Sequence, residues 1–408
     1  MNWGRVKLGE IADFSNGINF GKDAYGKGIK LIGVSNFGNR FSPDYESLDE
    51  VKEEVVRKND FLLSGDMVFV RSNGNKELVG RCMLIDCPTV SVTFSGFCIR
   101  ARLKDITKHY PTFWTYHFKN ISFRRAMSGT AVGANIQNLS QGRLSTYEAI
   151  VPNYETQVRI AKVLSAYDNL IENNQKQIKL LEEAALRLYK EWFVDLRFPG
   201  YESVEIVDGV PEGWKRTTIG EFLGVRSGYA FKSGWWQDSG YPVVKIKDIN
   251  NNTVDISSLD HVAPEHTSKI PEFKLDKGDI VIAMTGATIG KIGLVPEVDN
   301  LYTNQRVGKV FPNAELLIPT PFVFCFYGQK SILEQIIALS SSSSAQPNIS
   351  GGQLESFEVI ANIDIINKFG KNMQPHFDKI NDLYKQNRLL TQARDRLIPK
   401  LMNGEIEV

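Results

Sequence analysis

Residues 155–198 read ETQVRIAKVLSAYDNLIENNQKQIKLLEEAALRLYKEWFVDLRF, with no glycine or proline. Steps of four and three from Ile160 land on Ile160, Leu164, Tyr167, Ile171, Asn174, Ile178, Leu181, Ala185, Leu188 and Trp192. All but Asn174 are apolar or aromatic. An average step of about 3.5 residues is the spacing of a coiled-coil seam, narrower than the apolar stripe of an ordinary surface helix. At about 1.5 Å per residue such a helix is on the order of 50 Å long. A face that long and that narrow needs a partner helix.

The C-terminal region supplies a candidate. The same stepping from Phe369 gives Phe369, Met373, His376, Ile380, Leu383, Asn387, Leu390, Arg394, Leu397 and Leu401. The pattern is less regular, but it too carries an Asn in its middle. A buried seam Asn fixes register at some cost in stability. Gly370 and Pro375 predict that this second helix is bent, or begins late, near its N-terminus.

The chain between and before the helices repeats itself. Trp3, Gly9, Glu10, Gly17 and Phe20 match Trp214, Gly220, Glu221, Gly228 and Phe231. Gly65, Asp66 and Val68 match Gly278, Asp279 and Val281. Ser140, Gly142, Leu144, Glu148 and Ile150 match Ser350, Gly352, Leu354, Glu358 and Ile360. The matches are collinear, and each copy ends in its long helix. The unit is therefore a globular module followed by a helix, used twice. Each module contains an alternating strand after a Gly-Asp turn (GDMVFVRS and GDIVIAMT). Helical runs follow, around YPTFWTYHFKNISFRRAM and TPFVFCFYGQKSILEQIIAL, then a loop of small residues and a last strand. The expected fold is α+β: two tandem α/β modules at 1–153 and 199–362, with helices at 154–198 and 363–408. Antiparallel pairing of the helices, with pseudo-two-fold symmetry, alone makes the two halves equivalent, although the long intervening module permits either direction.

Composition excludes several classes. No apolar run approaches the roughly 20 residues of a membrane span, and MNWGRVKLGE has no apolar core of a signal peptide. The four cysteines, Cys82, Cys87, Cys98 and Cys325, lack paired metal-binding spacing and read as small buried hydrophobes in a reducing cytoplasm. Residues 1–154 carry 20 Lys+Arg and 15 Asp+Glu, hence +5, whereas 200–362 carry 13 and 19, hence −6. Any nucleic-acid surface must then be local. MTGATIGKIG fails as a phosphate loop, because only three residues separate Gly286 from Gly290 and Ile292 stands where Ser or Thr would hold magnesium. His261 and His266 read as solvated loop residues. Asp66 and Asp279 read as turn residues rather than catalytic carboxylates.

The chain resembles the specificity (S) subunits of Type I restriction-modification systems over its whole length. The resemblance is carried by IAKVLSAYDNLIENNQKQIKLLE with LYKEWF, by the C-terminal RLLTQARDRLIPKLMNGEIEV, by the Gly-Glu module openings, and by Trp214 in VPEGWKRTTIGEF. It implies that the modules are target recognition domains, each reading half of a bipartite double-stranded DNA site. It implies that the helices form a spacer that docks two modification (methyltransferase) subunits, with restriction (translocase/nuclease) subunits completing the complex. Catalysis and S-adenosylmethionine then belong to the partners, and this chain holds no cofactor or metal and no catalytic residue. The heptad count leaves Glu172, Lys176, Lys179, Glu183 and Arg187 on the outer face where partners would dock.

DNA affinity draws on cations, amides and hydroxyls at phosphates, and specificity on side chains at base edges. In module one the candidates are Arg71, Ser72, Asn73, Asn75 and Lys76, then Arg124 and Arg125, then Thr130 and Asn135. In module two they are Lys232, Trp235 and Trp236, then Thr285, Thr288 and Lys291, then Ser341, Ser342 and Gln346. The equivalent loops RSNGNKE and MTGATIGK differ while the turns framing them match, as two readers of different half-sites require. A stand-alone nuclease or methyltransferase would need a catalytic motif that the sequence lacks. A purely structural scaffold would show no preference among duplexes.

Overall fold

A computed structural model describes residues 3–38, 40–73, 78–86, 88–128, 137–313, 315–340 and 347–408. The chain divides into two compact units, Met1–Ile171 with Leu390–Val408, and Glu172–Leu389. Each unit thus holds one module together with a part of both long helices.

In unit one, Gly4–Lys7 pairs antiparallel with Glu148–Val151 and ties the module's beginning to its end. An antiparallel sheet runs in the order Ala12–Asn16, Cys98–Leu103, Met67–Val70, Cys82–Leu84. A second sheet pairs Tyr25–Ile32 antiparallel with Asp49–Val51 and parallel with Val92–Phe94. Unit two repeats the plan. Lys215–Thr218 pairs with Glu358–Ala361. The main sheet runs Leu223–Ser227, Val307–Pro312, Ile280–Ala283, Ile292–Leu294, then Thr253–Val254 and Ile249–Asn250. Tyr241–Val244 lies parallel to Leu301–Thr303.

The Gly-Asp turns behave alike. Gly65 and Gly278 both take φ +89°, a conformation that favours glycine. Asp66 Oδ2 accepts from Leu63 N–H at 2.7 Å and pairs with Arg102 at 2.6 Å. Asp279 Oδ2 accepts from Asp276 N–H at 2.8 Å and pairs with Lys309 at 2.7 Å. The strands after these turns alternate, but not between core and water. Met67 and Phe69 enter one core while Val68 and Val70 enter another. Ile280 and Ile282 are divided from Val281 and Ala283 in the same way. Each strand is the partition between two cores, and every residue of both is buried.

The helix Pro111–Lys119 presses His117 among Phe113, Trp114, Phe118, Phe123 and Tyr147. Its Nε2 lies 3.3 Å from Tyr147 Oη. Burial pushes the imidazole down to about 4 from an ordinary 6.5. Between those values the unfolded chain binds a proton that the folded chain refuses. The contribution is therefore fully present above pH 6.5 and is lost as pH falls toward 4. Urea unfolding at pH 7.5 and at pH 4.5 is expected to show wild type losing roughly 2–3 kcal/mol more than His117→Leu. Equal losses in the two proteins would contradict a neutral buried His117. The counterpart in unit two is Cys325, equally buried.

The first long helix spans Tyr154–Tyr189 and continues as a π-helical turn, Lys190–Val194. Asn153 Oδ1 caps its start by accepting from Thr156 N–H at 3.0 Å. The second helix is continuous over Ile363–Met402, contrary to the late start read from Gly370 and Pro375. Asn362 Oδ1 starts it, accepting from Asp364 N–H at 2.9 Å. Gly370 serves close approach: a Cβ there would lie 2.3 Å from the Ile318 carbonyl oxygen. Pro375 is on the exposed face, where water can satisfy the carbonyl that proline leaves unpaired.

Within each unit the two helices pair antiparallel. In unit one Asp168 bonds Arg394, and Ile160 and Leu164 share a core with Ile398 and Leu401. In unit two Asn174 Nδ2 donates to Asn387 Oδ1 at 2.9 Å, Glu182 meets Tyr384, and Trp192 packs on Phe369. The two seam asparagines therefore satisfy one another. Of the seam positions, Ile160, Leu164, Asn174, Ile178, Ala185, Trp192, Phe369, Met373, Ile380, Leu383 and Leu401 are buried. Tyr167, Ile171, Leu181, Leu188, Asn387, Leu390 and Leu397 are half-buried. The stripe is wider than a two-helix seam near the ends. Ala161, Tyr189, Phe193, Ile366, Phe377, Ile398 and Met402 are buried as well. There each helix packs on a module as well as on its partner, which demands a broader apolar face.

Candidate nucleic-acid interface

In unit one three backbone segments meet at the end of the strand Met67–Val70. Ser95–Cys98 is a tight turn closed by Cys98 N–H donating to Ser95 O at 2.8 Å. Arg71 N–H donates to Phe97 O at 2.8 Å, and Leu139 N–H to Arg71 O at 2.8 Å. Gly96 N–H donates to Ile18 O at 2.7 Å, which ties in the glycine loop after Ala12–Asn16. Ser72 and Asn73 pair with Asn138 and Gln137.

Unit two contains the same junction, bond for bond. Val307 N–H donates to Asn304 O at 2.9 Å, Met284 N–H to Arg306 O at 2.9 Å, and Ile349 N–H to Met284 O at 3.0 Å. Gln305 N–H donates to Tyr229 O at 3.0 Å. Thr285 bridges Asn348 where Ser72 pairs with Asn138. Gly17 and Gly228 explain why the loop glycine is duplicated. A Cβ on Gly17 would lie 2.2 Å from Phe94 O, and one on Gly228 2.4 Å from Asn304 O. Both contacts are with backbone and cannot relax cheaply. Gly228→Ala is expected to cost about 1–3 kcal/mol, in the manner of other overpacked sites, and to lower the thermal midpoint of unit two. A midpoint equal to wild type in a melting experiment would contradict this.

A basic and aromatic cluster lies beside the second junction. Trp235 stacks on His266 with centroids 4.2 Å apart, and Tyr229 lies parallel at 6.2 Å. Lys232 Nζ is 5.3 Å from the centre of the Trp235 ring, and Lys245 Nζ is 3.5 Å from that of Trp236. Lys245 and Lys247 share Asp260, each at 2.9 Å. His266 is thus a half-buried stacking partner, not a solvated loop residue, because the turn Pro264–His266 returns to Trp235.

The other sequence candidates fall as follows. Arg71 is half-buried, and its Nη1 donates to Gly96 O at 3.2 Å, which braces the turn. Ser72 is half-buried in its short strand. Arg124 and Arg125 lie on the helix Ile121–Ser128, away from the junction in sequence, and Arg124 Nη2 reaches Val79 O. Thr285 and Thr288 have buried hydroxyls without a partner among the described residues, and Lys291 is exposed. The side chain of Asn73, and Asn75, Lys76, Thr130, Asn135, Ser341, Ser342 and Gln346 entirely, lie outside the described residues, as does Cys87. Cys82 and Cys98 are buried, which pushes both thiols up to about 12. Among the described residues no group of three or more His, Cys, Asp or Glu is placed to hold a metal, and no helix is long and apolar enough to cross a membrane.

Residues 1–183 and 211–368 match the family described as Type I restriction modification DNA specificity domain. The chain belongs to this family. It is similar to the Type I restriction enzyme MjaIX specificity subunit of Methanocaldococcus jannaschii, 29% identical over 72% of this chain and 68% of that one. The HindI specificity subunit of Haemophilus influenzae is 22% identical over 99% of this chain and 100% of that one. The S subunit of a Type I restriction-modification system from M. genitalium shares the fold, with a TM-score of 0.55 and 19% identity over 98% of this chain and 96% of that one. The two matched segments coincide with the two halves of the duplication. As a Type I specificity subunit the chain recognises DNA and is non-catalytic.

Proposed function

We propose that each module of this specificity subunit reads one half of a bipartite, non-palindromic double-stranded DNA site, and that the paired helices set the unspecified gap between the halves. One observation carries the reading. The two junctions share a backbone hydrogen-bond frame, whereas the exposed residues at their tips differ: Phe97 against Gln305 and Arg306. A kept frame with changed side chains supports two readers with different targets. Glu172, Lys176, Lys179, Glu183 and Arg187 are all exposed on the first helix, consistent with an outer face on which two modification subunits dock. Lys176 and Glu172 form only a surface pair, at 2.8 Å. S-adenosylmethionine and methyl transfer belong, on this reading, to the modification subunits, and DNA translocation and cleavage to restriction subunits, all in the cytoplasm.

The decisive experiment maps methylated bases in the host with and without the gene for this chain. Loss of one bipartite motif is the expected result. Methyl transfer by the purified chain alone, with DNA and S-adenosylmethionine, would overturn the assignment of chemistry to the partners.

A further inference from the structure

The two tight turns at the junctions differ from the braced basic and aromatic residues around them in one respect: their side chains are uncommitted. Ser95 Oγ accepts from Phe97 N–H at 3.3 Å, and Asn304 Oδ1 accepts from Arg306 N–H at 2.9 Å, so a buried polar residue holds each tip from beneath. The tip carbonyls are taken by Arg71 and Met284 N–H. Yet Phe97 is 63% exposed. Gln305 and Arg306 are exposed, and neither side chain has a hydrogen bond or ion pair among the described residues. By contrast Arg71 is bonded to Gly96 O, while Lys245 and Lys247 are held by Asp260. In module one the position equivalent to Gln305 is Gly96, where a Cβ would lie 2.1 Å from Asn19 Oδ1. Module one therefore offers one apolar ring, and module two an amide beside a guanidinium.

We propose that these turn tips are base-reading elements. Phe97 makes apolar contact with a thymine methyl in one half-site, and Gln305 and Arg306 read an adenine and a guanine in the other. The inference rests on the half-site reading above and assigns its residues. Its chemistry is direct. Arg matches the O6/N7 edge of guanine and Gln the N6/N7 edge of adenine, while an aromatic ring suits the thymine C5-methyl. A rigid backbone with short-range freedom only in the side chain is what base discrimination requires, because a mobile backbone would let the wrong base be accommodated.

The test uses the full chain assembled with its modification subunits, carrying Phe97→Ala, Arg306→Ala or Arg306→Lys, with methylated bases mapped genome-wide. Arg306→Ala should relax one guanine position of one half-site, with non-cognate methylation rising roughly tenfold or more, and Arg306→Lys should relax the same position because an ammonium lacks the planar fork that fits the guanine edge. The other half-site and the gap should stay unchanged. Phe97→Ala should relax a thymine position in the opposite half-site. The lysine variant keeps the charge, so a loss of discrimination in it separates base reading from simple phosphate attraction. Thermal melting of each variant separates misfolding from misreading. An unchanged motif in stably folded variants would overturn the proposal, as would a uniform drop in methylation at every site. If wild type itself yields no bipartite motif that depends on this chain, the half-site reading has failed; if only the variants leave the motif intact, that reading stands and the residue assignment has failed.

Discussion

Inserting four residues after Ile171 in the first long helix should lengthen the unspecified gap in the DNA target or abolish modification, while leaving both half-site sequences as they are. Four helical residues add about 6 Å, and a base pair occupies about 3.4 Å of the duplex axis, so the gap grows by about one to two base pairs. The insertion point matters. Ile171 is the last residue of unit one and Glu172 the first of unit two, and the helix is continuous across them. The bonds that fix helix pairing lie on either side: Asp168 with Arg394 in unit one, and Asn174 with Asn387 in unit two. An insertion between them moves one anchor against the other without touching either junction. A matching insertion after Leu389 in the second helix restores both anchors, and should return activity to a chain that a single insertion silences. Methylated-base mapping reads the gap directly. Full activity on the original gap would refute the view that the helices act as a ruler.

The duplication was legible in the sequence because it rests on residues whose roles demand identity. Gly17 and Gly228 admit no Cβ, Gly65 and Gly278 take positive φ, and Ser140 and Ser350 cap short helices by accepting from Arg143 and Gln353 N–H. Such positions stay alike in both copies. The turn tips were not legible for the converse reason. FSGFC and TNQRV share no residue that marks them as equivalent, and only the common hydrogen bonds do. The loops RSNGNKE and MTGATIGK carry the polar residues that mark a nucleic-acid surface in sequence, while the exposed Phe97 reads as an ordinary core aromatic. Trp235 and His266 meet through a turn that no local pattern announces. The narrow heptad described only one of the helices' two neighbours; the second neighbour is a module, and its contacts follow the 3.6-residue period of a surface helix.

Removing Arg394 is expected to be strongly destabilising in unit one. Its guanidinium bonds Asp168, the two side chains are 12% and 13% exposed, and Tyr116 Oη donates to the same carboxylate. Burial and the Asp168 charge both push the Tyr116 phenol far up, so it remains a donor at any pH where the protein is folded. Arg394→Leu leaves Asp168 buried with that one neutral donor, and stranding one charge of such a pair costs about 3–5 kcal/mol. Asp168→Leu should cost less, because Arg394 keeps Asp395 at 2.7 Å. Unit two shows that the site does not require charge. The helix caps Asn153 and Asn362 set the correspondence along the helices, which places Phe377 opposite Asp168 and Ala185 opposite Arg394, and Phe324, whose ring packs on Phe377, takes the place that Tyr116 holds against Asp168. These three share one core, with the Phe324 and Phe377 rings 5.0 Å apart. The combined variant Tyr116→Phe, Asp168→Leu, Arg394→Leu should therefore recover most of the loss, since replacing a whole buried ion pair by apolar groups is often neutral or stabilising. Urea unfolding of the single and combined variants measures this. A triple variant no more stable than Arg394→Leu alone would mean that the polar triad is matched to its surroundings in a way the apolar site is not, and that the two units have diverged in packing.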